Sequence, residues 1–73
     1  MPNTGGTNGI VQSAGTSMTA GNYAVVHYDG PPPKNETYND LTQVQLMVLL
    51  GALPKVDVTC DATGAVTGVM GHR

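Results

Sequence analysis

The side chains able to do chemistry in this 73-residue chain are few: one cysteine, Cys60, two histidines, His27 and His72, and five carboxylates. Cys60, His27 and one of the acids would supply a nucleophile, a base and an orienting group. The local sequence Val58-Thr59-Cys60-Asp61 offers neither a helix start nor a basic neighbour to lower a thiol pKa. Its alternation places Cys60 on an inward face, as a small buried hydrophobe. As metal ligands, His27, Cys60 and His72 fail on spacing, because structural zinc sites pair their ligands two to four residues apart. Gly5, Gly6 and Gly9 would cradle a phosphate only between a strand and a helix, and neither is expected beside them. Asn35-Glu36-Thr37 matches the N-glycosylation acceptor triplet, which carries little weight without a secretion signal. Pro31-Pro32-Pro33-Lys34 fits an aromatic-lined groove but reads better as a stiff spacer. The expectation is a chain without catalytic, cofactor-binding or metal site, hence without cofactor, and not an enzyme.

Composition narrows the partners. Formal net charge is −2, and Lys34, Lys55 and Arg73 are the only basic side chains. Nucleic-acid binding needs a basic patch to displace counterions from phosphates, and anionic membranes need the same. Neither partner is expected. The N-terminus lacks a basic segment followed by an apolar run, and the longest apolar stretch, Leu46 to Leu50, is too short to span a bilayer. The default location is the cytoplasm. With no Trp or Phe and only three Tyr, the core is thin, since aromatic rings bury the most area per residue. A single cysteine forbids an internal disulfide, so association with other chains remains as the source of extra stability.

The elements that would position these residues fall into two regions. Residues 1–22, rich in Gly, Thr, Ser, Asn and Ala and without a charge before Asp29, read as an extended arm laid along another protein surface and anchored by Ile10, Val11 and Met18, or alternatively as a floppy tail. Fully extended, such an arm reaches roughly 70 Å. Residues 23–73 read as a small α+β domain. Tyr23-Ala24-Val25-Val26-His27-Tyr28 is a strand ended by Asp29-Gly30 and three prolines, and Lys34 to Tyr38 reads as exposed loop. A helix opens near Asn39-Asp40, where Asp40 with Gln43, or Thr42 with Gln45, resembles a capping box; Gly51 and Pro54 stop it. Its sheet-facing stripe is expected through Leu41, Val44 and Val48, leaving Leu46, Leu49 and Leu53 for a partner. Lys55 to Cys60 alternates as a strand, and Asp61-Ala62-Thr63-Gly64 reads as a type I turn with a left-handed glycine. In the expected hairpin Cys60 faces Val66, Val58 faces Gly68 and Val56 faces Met70. The predicted fold is therefore a three-stranded sheet (one strand, then the C-terminal hairpin) with one helix on one face and an extended N-terminal arm.

In its uncharged arm at residues 1–22 and the small body after it, the chain resembles the small capsid decoration and other accessory virion proteins of tailed bacteriophages. No diagnostic motif supports the likeness, and no functional residue is carried over from it. The resemblance implies a structural subunit, oligomeric or part of a larger assembly. It would bind copies of itself or a larger shell protein, and reside in the virion after cytoplasmic synthesis. The apolar pattern of the chain itself, not the resemblance, points to Ile10, Val11, Met18, Leu46, Leu49 and Leu53 as the interface. The alternative is a small soluble binding module or regulator that docks its helix onto one partner.

Overall fold

In a computed structural model, described here for residues 2–51 and 54–73, the strand expected at Tyr23 lies within a larger sheet than the sequence suggested. Five strands and one helix follow in the order β1 (Gly5–Ser17), β2 (Gly21–Tyr28), β3 (Lys34–Tyr38), α1 (Gln43–Gly51), β4 (Lys55–Cys60) and β5 (Val66–His72). All pairings are antiparallel, and the strand order is β3-β2-β1-β4-β5. The three-stranded sheet with a free arm is thus corrected on two counts. Most of the supposed arm is the central strand, and the supposed loop at Lys34–Tyr38 is an edge strand.

β1 serves two neighbours in succession. Gly5, Gly6 and Gly9 pair with Thr59, Val58 and Val56 of β4, whereas Ile10 to Ser17 pair with β2. The change of partner coincides with register shifts at residues 6–9 and 11–13, and with a positive φ of 56° at Asn8. Such irregularities bend a strand and increase its twist. The ring of Tyr28 occupies the inside of the bend. A Cβ added at Gly9 would lie 2.6 Å from Tyr28 Cε1, and one at Gly6 2.7 Å from its Cδ1. The glycines that made this segment look like an unstructured arm are the positions where an aromatic ring rests on bare backbone.

Ala24, Val26 and Tyr28 of β2, Tyr38 of β3, Leu41, Leu49 of α1 and Val56 and Val58 of β4 form the core, with Val11, Ala14, Cys60, Val66 and Val69 packed around it. The β4–β5 turn is as expected: Gly64 N–H donates to Asp61 O, Asp61 N–H to Ala65 O, and Gly64 has φ 90°. Cys60 faces Val66. Beyond that pair the register differs from expectation, because a bulge at Thr59/Cys60 puts Val58 opposite Val69 and Val56 opposite Gly71. The bulge turns Val69 inward and leaves Met70 outside, whereas the unbroken register would have put a glycine against the core.

Gly9→Val places a β-branched side chain in the space of the Tyr28 ring and should destabilise the fold by about 3 kcal/mol or more, as overpacking at a rigid site does. Equilibrium urea unfolding reads the loss. A change below about 0.5 kcal/mol would mean that the ring does not pack on this strand.

Candidate protein-docking surface

The helix begins where Thr42 and Gln45 cap each other. Thr42 Oγ1 accepts from Gln45 N–H at 3.1 Å, and Gln45 Oε1 accepts from Thr42 N–H at 3.0 Å. Of the two expected capping boxes this one forms, closing two backbone donors that the first turn leaves open. The β1–β2 turn braces the approach: Asp40 N–H donates to Ala20 O and Leu41 N–H to Asn22 O, each at 2.9 Å. Gln45 Nε2 reaches on to Val66 O at 3.2 Å.

That last contact fixes the rotation of the helix. Gln45 turns toward β5, Leu49 is 1 % exposed in the core, and Leu46 and Val48 are half-buried. The opposite side carries Val44, Met47 and Leu50, which are 71, 70 and 61 % exposed. At about 100° per residue these three lie within an arc of roughly 120°. They form one continuous apolar stripe, with no charge on the helix to interrupt it.

The six residues expected at an interface are therefore not gathered on one surface. Leu49 belongs to the core, Leu46 and Val11 are half-buried, and Ile10 lies on an exposed stretch of β1 beside Asp29 and Lys55. Met18 is fully exposed in the turn that braces the start of the helix. Leu53 lies outside the described residues. Val44, assigned to the sheet, faces solvent. The sequence offered no amphipathic contrast from which to choose the exposed side. Its nearest polar cue, Gln45, misleads because that side chain caps the helix and a strand end.

The potential catalytic groups are not assembled. Cys60 packs against the core, and burial first, then the charges of Glu36 and Asp61, push its thiol pKa up. His27 projects from the opposite face of β2 to its buried neighbours Val26 and Tyr28, with Nδ1 in hydrogen-bond contact with Asn35 Oδ1 and Nε2 with Asp29 Oδ1. Among the described residues no three His, Cys, Asp or Glu side chains are placed to share a metal ion. A cleft of about 400 Å³ between β3, the helix start and the β4–β5 turn is lined by Asn3, Thr37, Asp40 and Thr42 among others. Asn3 there already donates from Nδ2 to Thr37 O, and Thr42 is engaged in the cap. Among the described residues no helix is long and apolar enough to cross a membrane.

Several of the charged residues hold strands together. Glu36 points inward from β3 and accepts from Gly5 N–H at 2.9 Å, Thr4 N–H at 3.2 Å, Lys34 Nζ at 3.2 Å and the Tyr38 hydroxyl at 2.7 Å. The Tyr28 and Tyr38 hydroxyls are 2.6 Å apart, and burial pushes the Tyr28 phenol pKa up to about 12. For Glu36 burial works against ionisation, but these donors outweigh it and hold its pKa below the ordinary value. On the outside, Asp57 accepts from Asn8 N–H and from His72 Nε2, both at 2.9 Å. These bonds lower the Asp57 pKa, led by the Asn8 amide, and raise that of His72, led by Asp57. The chain matches no protein-family model, no curated protein and no solved structure.

Two outcomes follow from these networks. Glu36→Ala leaves the Tyr38 hydroxyl and the Gly5 amide without their acceptor and should cost about 2–4 kcal/mol in urea unfolding. A loss below about 0.5 kcal/mol would make the cluster incidental. The raised folded pKa of His72 gives stabilisation that is complete below its unfolded value near 6.5 and lost as pH rises through the folded pKa. The lowered Asp57 pKa gives stabilisation present above the unfolded value near 3.8 and lost as pH falls through the folded one. The pair thus holds fully between these two unfolded values. An NMR titration should place the His72 midpoint above 6.5, and Asp57→Asn should bring it down; an unmoved midpoint would mean that the contact is absent in solution.

Proposed function

We propose that this chain is a non-enzymatic structural subunit that attaches to other protein chains through the exposed face of its helix. In this it is like the small accessory and decoration subunits of tailed-phage virions, and its working location would be the virion. The observation that carries the reading is the stripe of Val44, Met47 and Leu50. A small protein that leaves three neighbouring large apolar side chains in water on one short helix is presenting a contact surface. Burying a side chain of this type is worth about 1.5–3 kcal/mol. Three such anchors offset a large share of the rotational and translational cost of association.

The scarcity of charge supports the same reading. The chain has only eight Asp, Glu, Lys and Arg side chains, and four of them, Lys34, Glu36, Asp57 and Asp61, hold partners within the fold. The contact cannot rest on a reaching arm at residues 5–17, because those residues are the central strand. Met18, on the turn that braces the helix start, is the one element of the former arm placed to extend the helix surface.

In a lysate of the producing cells the parent chain should sediment with a large particle on a density gradient. Met47→Asp and Leu50→Asp should stay in the slow fractions while keeping the far-UV circular dichroism of the parent, since a charge in an apolar contact loses hydration without gaining a partner. Leu49→Asp, a charge in the core, should instead unfold the chain. Parent protein confined to a complex with one small partner would favour a docking module. Particle attachment unaffected by both helix variants would remove the helix face from the contact.

A further inference from the structure

We propose that β5 pairs antiparallel with β5 of a second copy about a two-fold axis at Met70, joining two five-stranded sheets into one of ten strands. This rests on the reading of the chain as an assembly subunit and names one of its partners as itself.

The two sheet edges differ. β3 is bordered by Pro31–Pro33 and begins at Lys34, and Asn3 Nδ2 already donates to Thr37 O along it. Proline, lysine and a covering segment are the usual means of closing an edge. Among the described residues β5 has a strand on one side only, and from Val66 to Gly71 it has neither a charge nor a proline. The helix packs against β5, and at its start Gln45 donates to the Val66 carbonyl. Among the described residues no hydrogen-bond partner lies on the outer edge beyond that point, and Met70 is 66 % exposed beside an exposed Gly71.

The ladder sets which backbone groups point outward. Asp61 N–H donates to Ala65 O, which makes that pair a hydrogen-bonded one, and hydrogen-bonded and non-hydrogen-bonded pairs then alternate. Counted through the bulge, Cys60–Val66, Val58–Val69 and Val56–Gly71 are the non-hydrogen-bonded pairs. Their β5 members turn their amides and carbonyls away from β4, as the Gln45 contact with Val66 O requires. Val69 and Gly71 thus present outward groups on either side of Met70.

An array of this kind is complementary to itself when one copy is reversed. Val69 meets Gly71 of the second copy, Gly71 meets its Val69, and the two Met70 side chains touch across the axis. Two neutral edges meet without like-charge repulsion. Val66, where Gln45 anchors the helix, lies four residues, roughly 13 Å along the strand, from the axis.

Cysteine substitution tests the register. Met70 would be a non-hydrogen-bonded pair across the axis, with Cα atoms about 4.5 Å apart, a separation that a disulfide spans. In the Cys60→Ala background, Met70→Cys should form a covalent dimer under mild oxidation, and Thr67→Cys, three residues off the axis, should not. In light scattering over a concentration series, Met70→Lys and Gly71→Pro should each raise the dissociation constant of the dimer about tenfold or more, as loss of a pairing contact does. Met47→Asp should dimerise like the parent, which separates this contact from the helix face. A parent that is monomeric at every concentration, crosslinking that does not distinguish Met70 from Thr67, or full dimerisation by both edge variants would each overturn the pairing. Sedimentation of the parent with a large particle would still decide the assembly reading by itself.

Discussion

Everything in this fold is arranged around one tyrosine ring lying on bare peptide. Tyr28 covers Gly6 and Gly9, and only because those positions lack side chains can the first strand bend from β2 across to β4. In a chain with no Trp or Phe, an aromatic packed flat on backbone is an economical source of buried area. The hydroxyl of the same residue reaches Tyr38, whose own hydroxyl donates to Glu36, and Glu36 in turn gathers the amides of Thr4 and Gly5. The apolar and polar halves of the interior are therefore one structure, anchored at the start of β1.

That arrangement also accounts for the surface. Carboxylates and cations that would ordinarily face solvent are drawn into strand-to-strand contacts, as with Glu36 and Lys34 inside and Asp57 and His72 outside. The rest of the surface carries few charges, Asp29, Asp40, Lys55, Asp61 and Arg73 among them, and the helix stripe is free of charge. Recognition by such a surface depends on shape and apolar contact, with little electrostatic steering. Encounter would be slow compared with that of charged partners and nearly independent of salt.

The elements legible in the sequence were those whose determinants are local. The alternation of Val56, Val58 and Cys60, the Asp61–Gly64 turn and the Thr42/Gln45 cap each depend on a few consecutive residues. The missed elements depend on residues far apart. β1 was hidden because its glycines make sense only beside Tyr28. β3 was hidden because Lys34 and Glu36 look like solvent-facing charges until they meet each other and Gly5. The exposed helix face was expected in kind but assigned to the wrong side, since a helix apolar all round carries no signal of its own rotation. Leu49 and Val44 exchanged roles for that reason alone. The bulge that turns Val69 inward has a local mark, Thr59 and Thr67 in side-chain contact, but alternation read strand by strand passes over it.

The two-partner character of β1 also governs how the chain must fold. Its N-terminal half has no strand neighbour until β4 arrives, some fifty residues further along, so closing that pairing costs the entropy of a loop spanning most of the chain. Contacts of such long range slow folding relative to a helical protein of equal size. During synthesis the β1–β2 hairpin can form as soon as it emerges. The strip Gly5–Gly9 meanwhile waits, unpaired, until Lys55–Cys60 has been made. For that interval the nascent chain exposes a glycine-rich strand edge and an uncovered tyrosine ring, so crowding on the ribosome or at high expression would be felt there before it is felt anywhere in the finished protein.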